Sequence, residues 1–230
     1  MARKLSRGSK VPPRQTTSRA STSHAAALTK GEATAERILD AAFTSIATRG
    51  CGAVTLRGIA DEAGVVLSQL SYYYGNKDSL FSAVMTRMQS GYIAALSERL
   101  QGLVSLEAQI IALIDYNEAI LNDSPDTYRN FLEFSNVAMT SAPFQAEVAD
   151  FTSQLATMIE NCISNYEPKT TSVAGFPVAA LARFILSASF GIALQCFLNP
   201  QNEDVRKGFA ILKVTAVQLI AEDRAKQLKG

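Results

Sequence analysis

The chain has 230 residues, 47% hydrophobic, 8% aromatic and 19% charged, with 13 Gly and 7 Pro: enough apolar material for a substantial core and too little Gly and Pro for a fibrous or low-complexity polymer. The net charge of +1 hides an asymmetry, because residues 1–30 carry Arg3, Lys4, Arg7, Lys10, Arg14, Arg19 and Lys30 without one acid, so the remainder is net acidic. Cys51, Cys162 and Cys196 are odd in number and far apart, and His24 is the single histidine, which supports neither a disulfide framework nor a zinc site.

In chain order, residues 1–31 are rich in Ser, Thr, Pro and Arg and lack the apolar segment of a secretion signal. They read as a disordered basic arm, suited to tracking phosphates or entering a minor groove if the following segment reads DNA. A first helix is expected over 34–49, with Ile38, Leu39, Ala42, Phe43 and Ile46 on its inner face and Gly50 or Gly52 as its stop. Residues 55–80, TLRGIADEAGVVLSQLSYYYGNKDSL, then predict two short helices joined by a tight turn and followed by a capped third. Thr55 is an N-cap, and Leu56, Ile59, Ala60 and Ala63 recur on one buried face until Gly64 ends the helix. In the next helix Leu70 and Tyr74 point inward, leaving Leu67, Ser68, Gln69, Ser71 and Tyr72 outside, with side chains able to reach base edges and phosphates. Tyr72, Tyr73 and Tyr74 in succession cannot all be buried. Lys77 opens a helix whose dipole favours anions, a conflict that a phosphate held by Asn76 and Lys77 would relieve.

A fourth helix from 77 carries Leu80, Phe81, Val84, Met88 and Tyr92 and is long enough to leave the reader and enter the rest of the protein. Further helices are expected at 103–122, 127–140, 144–165, 178–198 and 204–228, with breaks at Ser124-Pro125, Ala142-Pro143, 167–177 and Asn199-Pro200. No stretch reads as a strand, so the fold class is all-α. The span 178–198 is apolar enough to suggest a membrane helix, but Arg183 and the stripe Ser187, Gly191 and Gln195 argue for a buried packing face instead. In the last helix Val205, Phe209, Leu212, Ala216 and Leu219 form a near-heptad stripe that seeks a partner, which a second chain would supply in a four-helix bundle.

From about Glu36 to Leu80 the chain resembles the tetracycline-repressor (TetR) family: ERILDAAFTSIATRG, then TLRGIADEAGV, then the aromatic cluster YYYGNK. The resemblance implies a three-helix helix-turn-helix DNA-binding domain at 32–80 and a helical effector-binding and dimerisation domain at 81–230. By position it implies phosphate contacts from Thr55, Arg57, Tyr72, Tyr73 and Lys77. Val66, Leu67 and Ser71 depart from the family's usual residues, so no target sequence transfers. A homodimer through the last two helices would set two readers about 34–36 Å apart on near-palindromic double-stranded DNA.

The resemblance also implies an effector cavity in the second domain. The segment TYRNFLEFSNVAM is its best candidate, with Phe131, Phe134 and other apolar residues around Glu133; that carboxylate either lines the cavity or is exposed or salt-bridged on the polar side of its helix. Ile111, Asp115, Tyr116, Glu118, Phe190, Gln195 and Cys196 are further candidates, and the excess of acids beyond residue 91 favours a neutral or cationic small molecule. The expected function is a cytoplasmic bacterial regulator, a repressor released by its effector, with no cofactor, metal or membrane partner. Control by a protein partner, or none, is the alternative. An enzyme or carrier is disfavoured by the lack of Ser-His-Asp, HExxH, GxGxxG and Walker patterns.

Overall fold

The structure, a computed structural model, describes residues 29–166 and 172–227, with side chains described over 29–165 and 172–221. The expected arm at 1–31 therefore lies almost wholly outside the described residues. Helix α1 (Lys30–Ala53) starts earlier than the apolar period suggests, because Thr29 and Glu32 form a reciprocal capping box: Glu32 N donates to Thr29 Oγ1 (3.2 Å) and Thr29 N to Glu32 Oε2 (2.8 Å). Helical geometry breaks at Gly50, whose φ of 76° and ψ of 155° suit glycine, and a short turn completes the element.

Next come α2 (Leu56–Ala63), α3 (Leu67–Tyr74) and α4 (Lys77–Leu100). Thr55 Oγ1 accepts from Gly58 N (3.1 Å), Gly64 closes α2 in the left-handed region (φ 64°), and Asn76 Oδ1 caps α4 by accepting from Ser79 N (2.8 Å). Helices α5 (Leu106–Asp123), α6 (Pro125–Ala138) and α7 (Ala142–Tyr166) follow. Two expected breaks prove to be helix starts, because a proline in the first turn sacrifices no intrahelical hydrogen bond. The 167–177 break holds an unforeseen feature, a minimal hairpin of β1 (Ser172–Val173) and β2 (Phe176–Pro177). Its turn is Ala174-Gly175, both at positive φ (51° and 85°), without the Asn-Gly or Asp-Gly signature that marks such turns in a sequence. Helices α8 (Val178–Leu198) and α9 (Glu203–Gln227) complete the chain, giving nine helices among the described residues.

Two cores organise these elements. One gathers α1–α3 and the first part of α4, from Ile38 to Met85, and is completed by Phe134 and Ala138 of α6 and Phe144 of α7. The other runs from Tyr92 on α4 through α5, α7 and α8 to Ile220 on α9. Helix α4 serves both, and α6 packs most extensively against α1.

Two expectations for the last helices are corrected. Ser187, Gly191 and Gln195 face outward; the buried face of α8 is instead Leu181, Ala182, Ile185, Leu186, Ser189 and Ala193, packed on α5, α7 and α9. On α9, Phe209, Leu212 and Ala216 are already buried within this chain. The apolar surface left uncovered is Phe184, Leu194 and Leu198 on α8 with Ile211 and Val214 on α9. Helix α8 is long and apolar enough to cross a membrane by composition, but its apolar residues are divided between a packed face and this open one.

Candidate nucleic-acid interface and ligand cleft

The reader is braced from behind. Ile59, Leu70 and Leu80 are fully buried, Ser45 Oγ donates to Glu62, and Arg49 reaches both Ser45 Oγ (2.7 Å) and Glu62 Oε1 (2.7 Å), tying α1 to α2. Leu70 anchors α3, while Tyr74 is half-buried and donates its hydroxyl to Ala35 O (3.0 Å). Tyr73 is half-buried and meets Tyr72 edge-on at 5.2 Å, leaving Tyr72, 83% exposed, as the one ring of the three that stands in solvent.

Thr55, Arg57, Leu67, Ser68, Gln69 and Ser71 are exposed on α2 and α3 or at their starts, the disposition expected of residues that touch a partner. Two carry local duties as well. Thr55 caps α2, and the Gln69 side-chain oxygen accepts from Val66 N (3.3 Å), filling a role for which Val66 has no oxygen to reciprocate. Lys77 is half-buried, its ammonium 5.3 Å from the Phe81 ring centroid, so the cation sits against the start of α4.

A cleft of about 390 Å³ opens between α1, α4, α5 and the start of α6, lined by Asp40, Phe43, Arg87, Tyr92, Arg99, Tyr116, Asp123 and Thr127 among others. Arg87 is answered by Glu36 (3.2 Å) and Asp40 (2.7 Å), whereas Arg99 lies over the Tyr116 ring at 4.4 Å and forms no ion pair among the described residues. Met88, Tyr92, Ile120 and Thr127 also line a narrow inner slot with Asn117, Tyr128, Phe131, Phe151 and Phe190. At its floor Tyr92 and Tyr128 both donate to Asn117 Oδ1 (3.2 and 3.0 Å), and Asn117 Nδ2 donates to Leu113 O (2.9 Å). Burial raises both phenols well above their ordinary pKa and keeps them protonated donors. Phe131 stacks on Phe190 at 4.4 Å.

Of the expected ligand residues, Tyr116, Phe131 and Phe190 come together here; the rest do not. Ile111 is half-buried on α5 and lines neither space. Asp115 and Glu118 share Lys213 of α9 (2.7 and 3.1 Å), Gln195 faces outward beside Asn199, and Cys196 is a buried free thiol in the second core. Glu133 and Phe134 belong to the seam with α1, because three-and-four spacing puts Asn130, Glu133, Phe134 and Val137 on one side of α6 and Thr127, Tyr128 and Phe131 on another. Sequence reasoning does not single out Arg87, Arg99 or Asn117, and it includes Tyr128 only as part of the segment TYRNFLEFSNVAM. The one available signal was Asn117, an amide on the apolar stripe of α5.

Residues 38–84 match the family model described as bacterial regulatory proteins, tetR family. No curated protein matches the chain in sequence. Several solved structures share its fold. A TetR-family regulator from a Rhodococcus species, described as putative, aligns with TM-score 0.68 at 18% identity, covering 82% of this chain and 98% of that one. A TetR transcription regulator from Haloarcula marismortui aligns with TM-score 0.67 at 20% identity over 83% and 97%. The transcriptional regulator FadR from Bacillus subtilis, solved with stearoyl-CoA, aligns with TM-score 0.69 at 15% identity over 79% and 97%.

Proposed function

We propose that the chain is a transcriptional regulator of the tetR family, a homodimeric repressor released from duplex DNA by a small effector; the match of residues 38–84 to the family model and the shared fold support this reading. The reading is carried by the outer face of α3, where Tyr72 stands 83% exposed on a helix whose other side is pinned by Leu70. A tyrosine so placed on a braced helix, touched among the described residues only by the edge of the Tyr73 ring, suits a phosphate or base edge. Thr55, Arg57, Leu67, Ser68, Gln69, Ser71, Tyr73 and Lys77 complete this surface, with the basic residues before Lys30 as an auxiliary arm. Residues 32–80 are assigned to DNA binding and 81–230 to effector binding and dimerisation, and the protein acts in the bacterial cytoplasm.

The cleft and its aromatic slot support a small amphipathic effector, its apolar part against Tyr92 and the stacked pair Phe131 and Phe190 and its polar part at the Arg99 rim. The stearoyl-CoA held by the Bacillus subtilis protein of similar fold supports a ligand role for this helical body. Release then requires an effector that prefers one of two reader arrangements, because a ligand equally welcome in both shifts nothing. The uncovered apolar faces of α8 and α9 suit a second copy, with Ser187 and Gly191 permitting close helix approach.

The test is to select a duplex from a randomised pool with the full-length protein and titrate it by fluorescence anisotropy at two salt concentrations. Tyr72→Ala and Lys77→Ala should each weaken binding, and Lys77→Ala should reduce the salt slope by about 1. Unchanged affinity in both variants refutes the assignment.

A further inference from the structure

We propose that Glu133 is a positioning residue for DNA binding: its carboxylate latches the corner between α1 and α2 to α6 and so fixes the reader's orientation on the helical body. The inference rests on the reading of this chain as a DNA-binding regulator. At Gly50 the backbone leaves helical geometry (φ 76°, ψ 155°), and the Cys51 N–H beyond it donates across 82 residues of sequence to Glu133 Oε2 at 2.8 Å. Cys51 is only 5% exposed, so water is a poor substitute for the carboxylate as acceptor.

The fit at this corner is close. A Cβ on Gly50 would lie 2.9 Å from Glu133 Oε2, so the glycine both makes the turn and leaves room for the latch. Glu133 forms no ion pair among the described residues, and its carboxylate is committed to this backbone donor. One turn earlier on α6, Asn130 Nδ2 donates to Phe43 O (3.0 Å), a second polar tie from the same helix to α1. Helix α6 also supplies the cleft with Thr127 and the inner slot with Phe131, so a shift of α6 on ligand entry would be carried to the reader through these two bonds.

Charge and positioning predict opposite signs. Removing a carboxylate from a DNA-binding protein favours DNA electrostatically and without regard to sequence. Losing a latch weakens binding only where the reader must hold one orientation. The experiment uses full-length protein, its pool-selected duplex and a scrambled duplex of equal length, with amide hydrogen exchange on the same samples. Glu133→Ala should weaken the selected duplex by roughly five- to tenfold and leave the scrambled duplex unchanged or tighter. Exchange should accelerate in the peptide containing Cys51 and remain slow around Ile59 and Leu70. Glu133→Gln keeps an oxygen facing the Cys51 N–H and should restore most of the specific affinity.

An unchanged ratio of the two affinities in Glu133→Ala overturns the proposal, and so does exchange that accelerates equally through α2 and α3, the mark of general destabilisation. Should Glu133→Ala fail to fold, Gly50→Ala drives a side chain against the same carboxylate; retained specificity in that variant overturns the proposal too. If the wild-type protein selects no duplex, the DNA-binding reading fails and the positioning role falls with it, while the exchange of Cys51 still reports separately whether the latch exists.

Discussion

Replacing Phe134 by Ala should unfold the reader before the helical body, although Phe134 lies more than fifty residues beyond the last helix of the reader in sequence. The ring is 1% exposed, edge-on to Phe81 at 6.1 Å and stacked near Phe144 at 6.3 Å, in the core built mainly from α1 to α4. Burying such a side chain contributes about 1.5–3 kcal/mol by transfer alone. Two lost ring contacts add roughly 0.5–1.5 kcal/mol each. The cavity can close only by moving α4 or α7, both of which are anchored elsewhere, so the total should fall at about 3–5 kcal/mol, the usual cost of Phe→Ala in a packed core. For a chain of this size that is a fall in Tm of roughly 6–20 °C. Thermal unfolding by circular dichroism gives the total, and hydrogen exchange gives the location, with protection lost first around Ile38, Ile59 and Leu70 rather than Ile110 and Ile185. A cost under about 1 kcal/mol, or early loss confined to α5 and α8, would refute the reasoning.

Asn117→Ala should cost about 2–4 kcal/mol in chemical denaturation, because it strips the buried Tyr92 hydroxyl of its acceptor while Tyr128 keeps a weaker bond to Asn117 O (3.4 Å). Adding Tyr92→Phe should recover part of that loss, although the same change in wild type is destabilising; strictly additive effects would contradict the network. Cys51 predicts an alkaline limb: burial, with Glu133 next, pushes its thiol up to about 12, above the unfolded value near 8.5, so its contribution is intact below about pH 8.5 and lost as pH rises toward 12. Stability should fall by up to about 1.4 kcal/mol per pH unit through that window from this thiol, and denaturant midpoints of Cys51→Ala should show a shallower slope. Leu194→Asp with Ile211→Asp should convert a sedimenting dimer to a helical monomer, and an unchanged dimer mass would exclude the α8 and α9 faces as the interface.

The reader was legible because its signals are local. Thr55 before an apolar period, Gly64 after it, and three consecutive tyrosines of which one must face out are all consequences of a 3.6-residue turn and of capping chemistry. The start of α1 escaped notice because its cap, Thr29 with Glu32, stands before the apolar stripe begins. The stripe on α9 is ambiguous for a different reason: periodicity shows that Phe209, Leu212 and Ala216 share a face but not whether that face meets α5 and α8 of its own chain, as it does, or another copy.

Glu133 draws the line most sharply. Local pattern determined that this chain is all-α, that residues 55–80 make a helix-turn-helix with an outward face, and that an acid sits among apolar residues on α6. What that acid does was decided only when α6 came against α1, because the acceptor and the amide it satisfies are 82 residues apart and the amide is freed only by the backbone turn at Gly50. The cleft is of the same kind, since Arg99, Tyr116, Asn117, Tyr128 and Phe190 come from four helices and no period along one helix records which faces will meet. Capping and hydrophobic periodicity act within a few residues and are written along the chain, whereas a latch or a cavity is a relation between surfaces that exists only once the helices have packed.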